Sequence, residues 1–288
     1  MTNRIFLLAL LGIPLVGCVS VPKYVPLEPD SAKQVKSATA YLAVRQDEII
    51  ITAQSSNVSA AVGGGLIVAM IDSKIVADRQ EGLQKQIEPL YDSIDDVDFR
   101  NMFWSALETQ LRDKYKLQLT TIRKSPTVLA KQELDEIKLA LKPDEGFMYV
   151  NTNYTFNTDF SALTVSTAID VWRGGNPEPI FSNTMEYISA PVGSGGEDSI
   201  KKWTENSGKL YREKIAEGIA EIIKMARLDM ERPRFPTPNG LSANLEKLAV
   251  NKQLGFGNTI QVLGEPLITE SHRVILRNDA GRLVSVPY

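Results

Sequence analysis

Three consecutive segments between residues 147 and 188 place the tightest limit on the fold. Residues 147–156 are rich in aromatic residues and threonine, and residues 180–188 form a further apolar run. Between them, residues 163–171 alternate apolar and polar side chains, as a strand with one buried face does. Turn-forming residues at 157–159 and 174–177 separate the three segments. Because short turns join antiparallel neighbours, the sequence predicts an antiparallel three-stranded meander.

Helical patterns flank this meander. Over residues 98–115, five apolar side chains recur every four residues, and Asp98 stands where an N-cap is expected. Residues 127–141 predict a more polar helix, and residues 199–230 a long one in which Trp203 and Tyr211 share the buried face. The five apolar residues of the first helix are Phe99, Phe103, Leu107, Leu111 and Tyr115.

Shorter elements complete the predicted fold. One or two strands are expected within residues 38–53, and another over residues 117–123. Near the C-terminus we expect a short helix at 241–250, a strand at 260–263, and a hairpin of residues 272–276 with 283–286. The predicted class is α+β: a mixed, largely antiparallel sheet packed against two to three helices, with a small C-terminal β-hairpin appendage.

The amino terminus has the pattern of an export signal. Arg4 precedes an uncharged apolar run over residues 5–16. A helix of twelve residues is about 18 Å long, whereas the hydrocarbon core of a bilayer is about 30 Å thick. The run therefore predicts a cleaved signal rather than a membrane span, and Leu15, Val16, Gly17 and Cys18 follow at its end.

These four residues resemble the lipobox of bacterial lipoproteins. The resemblance implies that residues 1–17 are removed and that Cys18, the only cysteine, carries diacylglycerol on its thiol and a further acyl chain such as palmitate on its amine. Val19 stands where an Asp retains enterobacterial lipoproteins in the inner membrane, which implies an outer-membrane protein facing the periplasm. Three prolines within residues 18–37 indicate a flexible tether to a domain over residues 38–230, followed by an extension over residues 231–288.

The charge balance disfavours nucleic acid as a partner. The full chain has a formal net charge of −3, and removal of Arg4 with the signal makes it −4. No run of basic residues is present that could neutralise a series of phosphates.

The uncharged, glycine-rich segment 59–71 contains Gly63, Gly64 and Gly65. Its thirteen residues are too short to span a bilayer, but its small side chains allow close approach of a membrane or a partner. One interpretation is an apolar hairpin that contributes to an oligomeric membrane assembly. The other, which we favour, is a glycine loop leading into a buried helix.

No catalytic residue, metal ligand or cofactor site is predicted. The single histidine, His272, has no Gly-x-Ser-x-Gly nucleophile elbow to accompany it, and one histidine without a free cysteine makes a poor zinc site. The 35 acidic residues leave open a carboxylate-based envelope hydrolase, although no spacing singles out one pair.

The order of predicted elements over residues 38–230 resembles the amino-terminal-like α/β domain of TolB. Curli-secretion lipoproteins share this domain, as do outer-membrane lipoproteins that activate peptidoglycan synthases. The resemblance implies a role in binding or assembly rather than catalysis. The sequence thus predicts a non-enzymatic accessory or scaffold lipoprotein that binds another envelope protein.

Overall fold

A computed structural model describes residues 24–51, 82, 85–114, 117–231, 248–253 and 259–288. The helices are α1 Pro29–Lys33, α2 Glu88–Ile94, α3 Phe99–Lys114, α4 Lys131–Ala140 and α5 Gly196–Glu231. The strands are β1 Ser37–Val44, β2 Ile50–Ile51, β3 Leu119–Ser125, β4 Glu145–Phe156, β5 Leu163–Arg173, β6 Phe181–Ile188, β7 Leu248–Gln253, β8 Thr259–Thr269, β9 Arg273–Asn278 and β10 Leu283–Pro287.

All these strands join one mixed sheet, which confirms the predicted α+β class. Its order is β3-β1-β4-β5-β6-β10-β9-β8-β7, with β2 beside the end of β4. The meander β4-β5-β6 is antiparallel as predicted, whereas β1 pairs in parallel with both β3 and β4. Strand β10 pairs in parallel with β6, so the C-terminal hairpin extends the central sheet.

One face of the sheet is covered by α2, α3 and α5, and the main core lies between them. The predicted face of α3 is buried through Phe99, Phe103, Leu107 and Leu111. Asp98 caps this helix, because its carboxylate accepts a 2.8 Å hydrogen bond from the Asn101 backbone N–H. On the opposite face, α4 covers a smaller aromatic cluster that includes Phe147, Tyr149 and Trp172.

Helix α5 is interrupted at residues 205–208, a break that its apolar spacing does not reveal. Asn206, Ser207 and Gly208 all have left-handed backbone angles, which favour glycine. At Gly208 a Cβ would come within 2.6 Å of Ile94, so glycine permits the close approach of α2. Trp203 and Tyr211 on either side of the break are both buried in the core, as predicted.

The N-terminal residues from Tyr24 onward pack on the domain, although the sequence predicts a flexible tether there. Tyr24, Leu27, Ala32 and Val35 are buried, and all but Tyr24 belong to the main core. The Val25 backbone exchanges two 2.9 Å hydrogen bonds with Ser182 of β6. We call residues 24–36 the N-terminal arm. Its apolar side chains are buried against the domain, so the arm is part of the folded structure.

A second difference concerns the short helix expected at 241–250. Residues 241–247 lie outside the described part of the chain, but residues 248–250 belong to strand β7. Their backbone pairs antiparallel with β8, and this tertiary pairing overrides the local helical preference. Among the described residues, no helix is both long and apolar enough to cross a membrane.

Candidate functional site

The residues predicted from sequence to contact lipid or a partner lie outside the described part of the chain. They are Leu15, Val16, Gly17, Cys18, Gly63, Gly64 and Gly65. Neither interpretation of the glycine-rich segment, and no property of the lipobox, is therefore tested by the structure.

An acidic cleft with aromatic walls lies where β4 ends. Its volume is about 590 Å³, within the range of about 300–1,000 Å³ that is usual for ligand pockets. The cleft is formed by the loop after β1, the α2–α3 junction, the end of β4 and the second half of α5. It is lined by Asp47, Glu48, Ile49, Tyr91, Asp92, Ile94, Asp95, Val97, Asp98, Arg100, Tyr154 and Tyr211.

The loop after β1 is held against β4 by polar contacts. The Gln46 side-chain amide donates a 2.9 Å hydrogen bond to the Tyr154 carbonyl and accepts one of 3.1 Å from the Tyr154 N–H. The Tyr154 hydroxyl donates to the Asp47 carbonyl at 3.1 Å. Arg100 adds hydrogen bonds to the carbonyls of Val44 and Arg45, so this wall of the cleft is preorganised.

The opposite wall, where α2 turns into α3, is fixed by Arg212 of α5. Its guanidinium donates hydrogen bonds of 2.9 and 2.6 Å to the two carboxylate oxygens of Asp96 and one of 3.1 Å to the Ser93 carbonyl. The hydrogen bond from Arg212 lowers the pKa of Asp96 below its usual value. The break in α5 contributes here, because Arg212 also donates to the Ser207 carbonyl at 3.1 Å.

The charges of the cleft are unbalanced. Asp47 forms an ion pair with Arg100, and Asp98 serves as the cap of α3. Glu48, Asp92 and Asp95 are exposed, and none of them forms an ion pair with another described residue. Among the described residues, these three carboxylates therefore have no ion-pair partner, and they lie in the same cleft as the half-buried ring of Tyr91, whose hydroxyl donates to the Ile49 carbonyl at 2.8 Å.

This combination suits a cationic ligand with an apolar stem. Carboxylates accept strong charge-assisted hydrogen bonds from ammonium or guanidinium groups. Tyrosine rings attract cations at their faces and also pack against methylene groups. Within the described ranges, no group of three or more His, Cys, Asp or Glu residues has a geometry suited to a metal ion.

His272 shows no catalytic arrangement within the described residues. It is exposed at the turn between β8 and β9, and its Nδ1 lies 3.1 Å from the hydroxyl of its neighbour Ser271. A serine-type triad needs a carboxylate that orients the histidine, and no described carboxylate hydrogen bonds to His272.

The cleft was not predicted from the sequence, because its residues come from four separate stretches of chain. Asp98 caps α3 as the sequence predicts, but no local pattern places Glu48, Asp92 and Asp95 around one cleft. No family model matches the sequence, and a comparison with curated protein sequences finds no significant match.

Proposed function

We propose that this chain is a lipid-anchored accessory protein of the bacterial cell envelope that binds a basic segment of another envelope protein in its acidic cleft. Cys18 carries the lipid, and the described domain presents the cleft to the periplasm. The surplus of exposed carboxylates in a preorganised cleft carries the proposal. The lipobox resemblance supports the anchoring, and the TolB-like order of elements agrees with a role in binding.

The cleft suits the side chain of a lysine or arginine. The methylenes of such a side chain would pack on Tyr91 and Ile94 in the cleft lining. The charged group would reach the carboxylates of Glu48, Asp92 and Asp95. Because these acids are exposed, salt should weaken the attraction, with a screening length of about 8 Å at physiological ionic strength.

The binding test combines crosslinking with removal of charge. We expect the full-length protein, crosslinked in native membranes, to capture a specific envelope protein. The triple variant Glu48→Gln, Asp92→Asn and Asp95→Asn should lose most of that capture, because it removes the three exposed carboxylates of the cleft that have no ion pair with a described residue. A control variant with Asp144→Asn, Glu178→Gln and Glu197→Gln removes the same charge from exposed sites outside the cleft lining and should capture normally.

Equal capture by the two triple variants would reject the cleft as the binding site. Recovery of no specific protein by the unaltered chain would remove the case for an accessory role. Capture that both variants lose alike would indicate a general attraction of charge rather than recognition by the cleft.

Anchoring is tested separately at Cys18. Cys18→Ala should abolish incorporation of labelled palmitate and release the protein from the membrane fraction, since a single residue provides the attachment site. Retention of both label and membrane association in this variant would contradict the proposed lipid anchor.

A further inference from the structure

The N-terminal arm leaves the folded domain at a fixed point. The Tyr24 hydroxyl donates a 3.3 Å hydrogen bond to Asp229, which is fully buried in α5. The Tyr24 ring lies 4.7 Å from the Arg277 guanidinium carbon, in a cation–π contact. The ring also packs on Gly281, where an added Cβ would lie 2.5 Å from the Tyr24 Cβ. Tyr24 therefore belongs to the domain and not to the tether.

Only residues 19–23 separate this point from Cys18. Six residue steps, each of at most about 3.3–3.6 Å, bring the Cys18 Cα within about 20 Å of the Tyr24 Cα. A compact domain of about 265 residues has a radius of gyration of about 18 Å, and so a diameter of about 47 Å. The tether is thus less than half as long as the domain is wide.

We infer that the surface around Tyr24, including the β9–β10 turn at residues 279–282, lies against the lipid headgroups of the membrane that holds Cys18. The inference rests on the lipid anchor of the proposed function. A tether this short prevents the side of the domain opposite Tyr24 from reaching the membrane. The β9–β10 turn contacts Tyr24 through Gly281, so it lies near the bilayer.

The edge strand β3 provides a matched distant position. It is separated from β10 by five inter-strand spacings of about 4.8 Å each, or about 24 Å across the sheet. Arg123 in this strand is exposed, and Ala280 in the β9–β10 turn is partly exposed. Either residue can be replaced by cysteine, and in the lipidated protein that cysteine is the only free thiol.

The test measures quenching of a thiol-linked fluorophore by lipids that carry a nitroxide on the headgroup. The full-length, lipidated protein is reconstituted in vesicles of phosphatidylethanolamine and phosphatidylglycerol. We expect the label at Ala280→Cys to be quenched several-fold more than the label at Arg123→Cys. Insertion of twenty Gly/Ser residues between Pro22 and Lys23 adds a linker with an r.m.s. length of about 24 Å and should reduce this difference.

Equal quenching at the two positions in a lipidated, vesicle-bound protein would overturn the inference and leave the lipid anchor intact. Stronger quenching at Arg123→Cys than at Ala280→Cys would also overturn the inference without contradicting the lipid anchor. Absence of lipid on Cys18, detected by mass spectrometry of the same sample, would overturn both the inference and the anchor on which it rests.

Discussion

The buried cluster around Asp229 and the acidic cleft use their carboxylates in opposite ways. Asp229 is completely buried and accepts hydrogen bonds from Arg277 at 2.5 Å, Asn183 at 2.6 Å and Tyr24 at 3.3 Å. Asp92 and Asp95 in the cleft are exposed and have no ion pair with a described residue. Buried charge must be paired, whereas exposed charge can remain available for a ligand.

The Asp229 cluster, made of Tyr24, Asn183, Asp229, Arg277 and Gly281, joins four parts of the chain. Arg277 of β9 and Asn183 of β6 both hydrogen bond to the Gly281 carbonyl as well as to Asp229. The cluster therefore attaches the N-terminal arm and the C-terminal hairpin to the end of α5. Its charges are committed to the fold, and the contrast with the cleft yields predictions of very different size.

The largest effect is expected from Asp229→Ala. Removal of this carboxylate breaks the buried ion pair between Asp229 and the Arg277 guanidinium, which should lower the free energy of unfolding by about 3–5 kcal/mol. Urea denaturation followed by circular dichroism measures the change. The exposed control Asp95→Ala should change stability by less than about 0.5 kcal/mol.

A double variant separates lost pairing from lost volume. Arg277→Met added to Asp229→Ala also removes the buried guanidinium and should recover part of the lost stability. A loss below about 1 kcal/mol for Asp229→Ala alone would show that the Asp229 cluster does not hold the arm and the hairpin in place.

Ionisation of Glu186 in β6 is expected to have an intermediate effect on stability, because its carboxylate is desolvated. Desolvation raises its pKa from 4.5 to about 6, against an opposing influence of Arg282. The folded state therefore binds more protons than the unfolded state between pH 4.5 and 6, and stability should fall as the pH rises through that window. At 1.36 kcal/mol per pKa unit, the loss is about 2 kcal/mol.

Glu186→Gln should remove this pH dependence, because the amide does not ionise. The variant should be more stable than the unaltered protein above pH 6 and similar to it below pH 4.5. Thermal unfolding across this pH range measures the difference, and the exposed Glu178→Gln serves as the control. An unchanged slope in the Glu186→Gln variant would show that another group, such as Asp170, is responsible.

The sequence predicts most of the regular elements because their signals are local. The alternation over residues 163–171 defines β5, and the four-residue spacing from Phe99 to Leu111 defines the buried face of α3. The break in α5 escaped prediction because Trp203 and Tyr211, eight residues apart, fit one continuous helix. The Asn-Ser-Gly sequence at residues 206–208 is the signal that could have revealed it.

The remaining features depend on contacts between residues far apart in sequence. Asp229 and Arg277 are 48 positions apart, and Tyr24 is 205 positions from Asp229. Pro22, Pro26 and Pro29 are typical of an extended tether. The buried residues of the arm follow no regular period, so the sequence does not predict their burial. The cleft likewise requires knowing that β1, α2, β4 and α5 meet. No local pattern carries that information.

The smallest effect on stability, and the sharpest test of the contrast, is expected in the cleft. The triple variant Glu48→Gln, Asp92→Asn and Asp95→Asn should have a free energy of unfolding within about 0.5 kcal/mol of that of the unaltered protein, because exposed charges contribute little to stability. Urea denaturation of this variant and of the Asp144, Glu178 and Glu197 control measures the effect.

A stability loss comparable with that of Asp229→Ala would contradict this prediction. It would show that the cleft carboxylates are already paired within the fold, so that they have no free charge to offer a ligand. Unchanged stability combined with lost capture of the partner would separate the two roles: the Asp229 cluster maintains the structure, and the cleft binds.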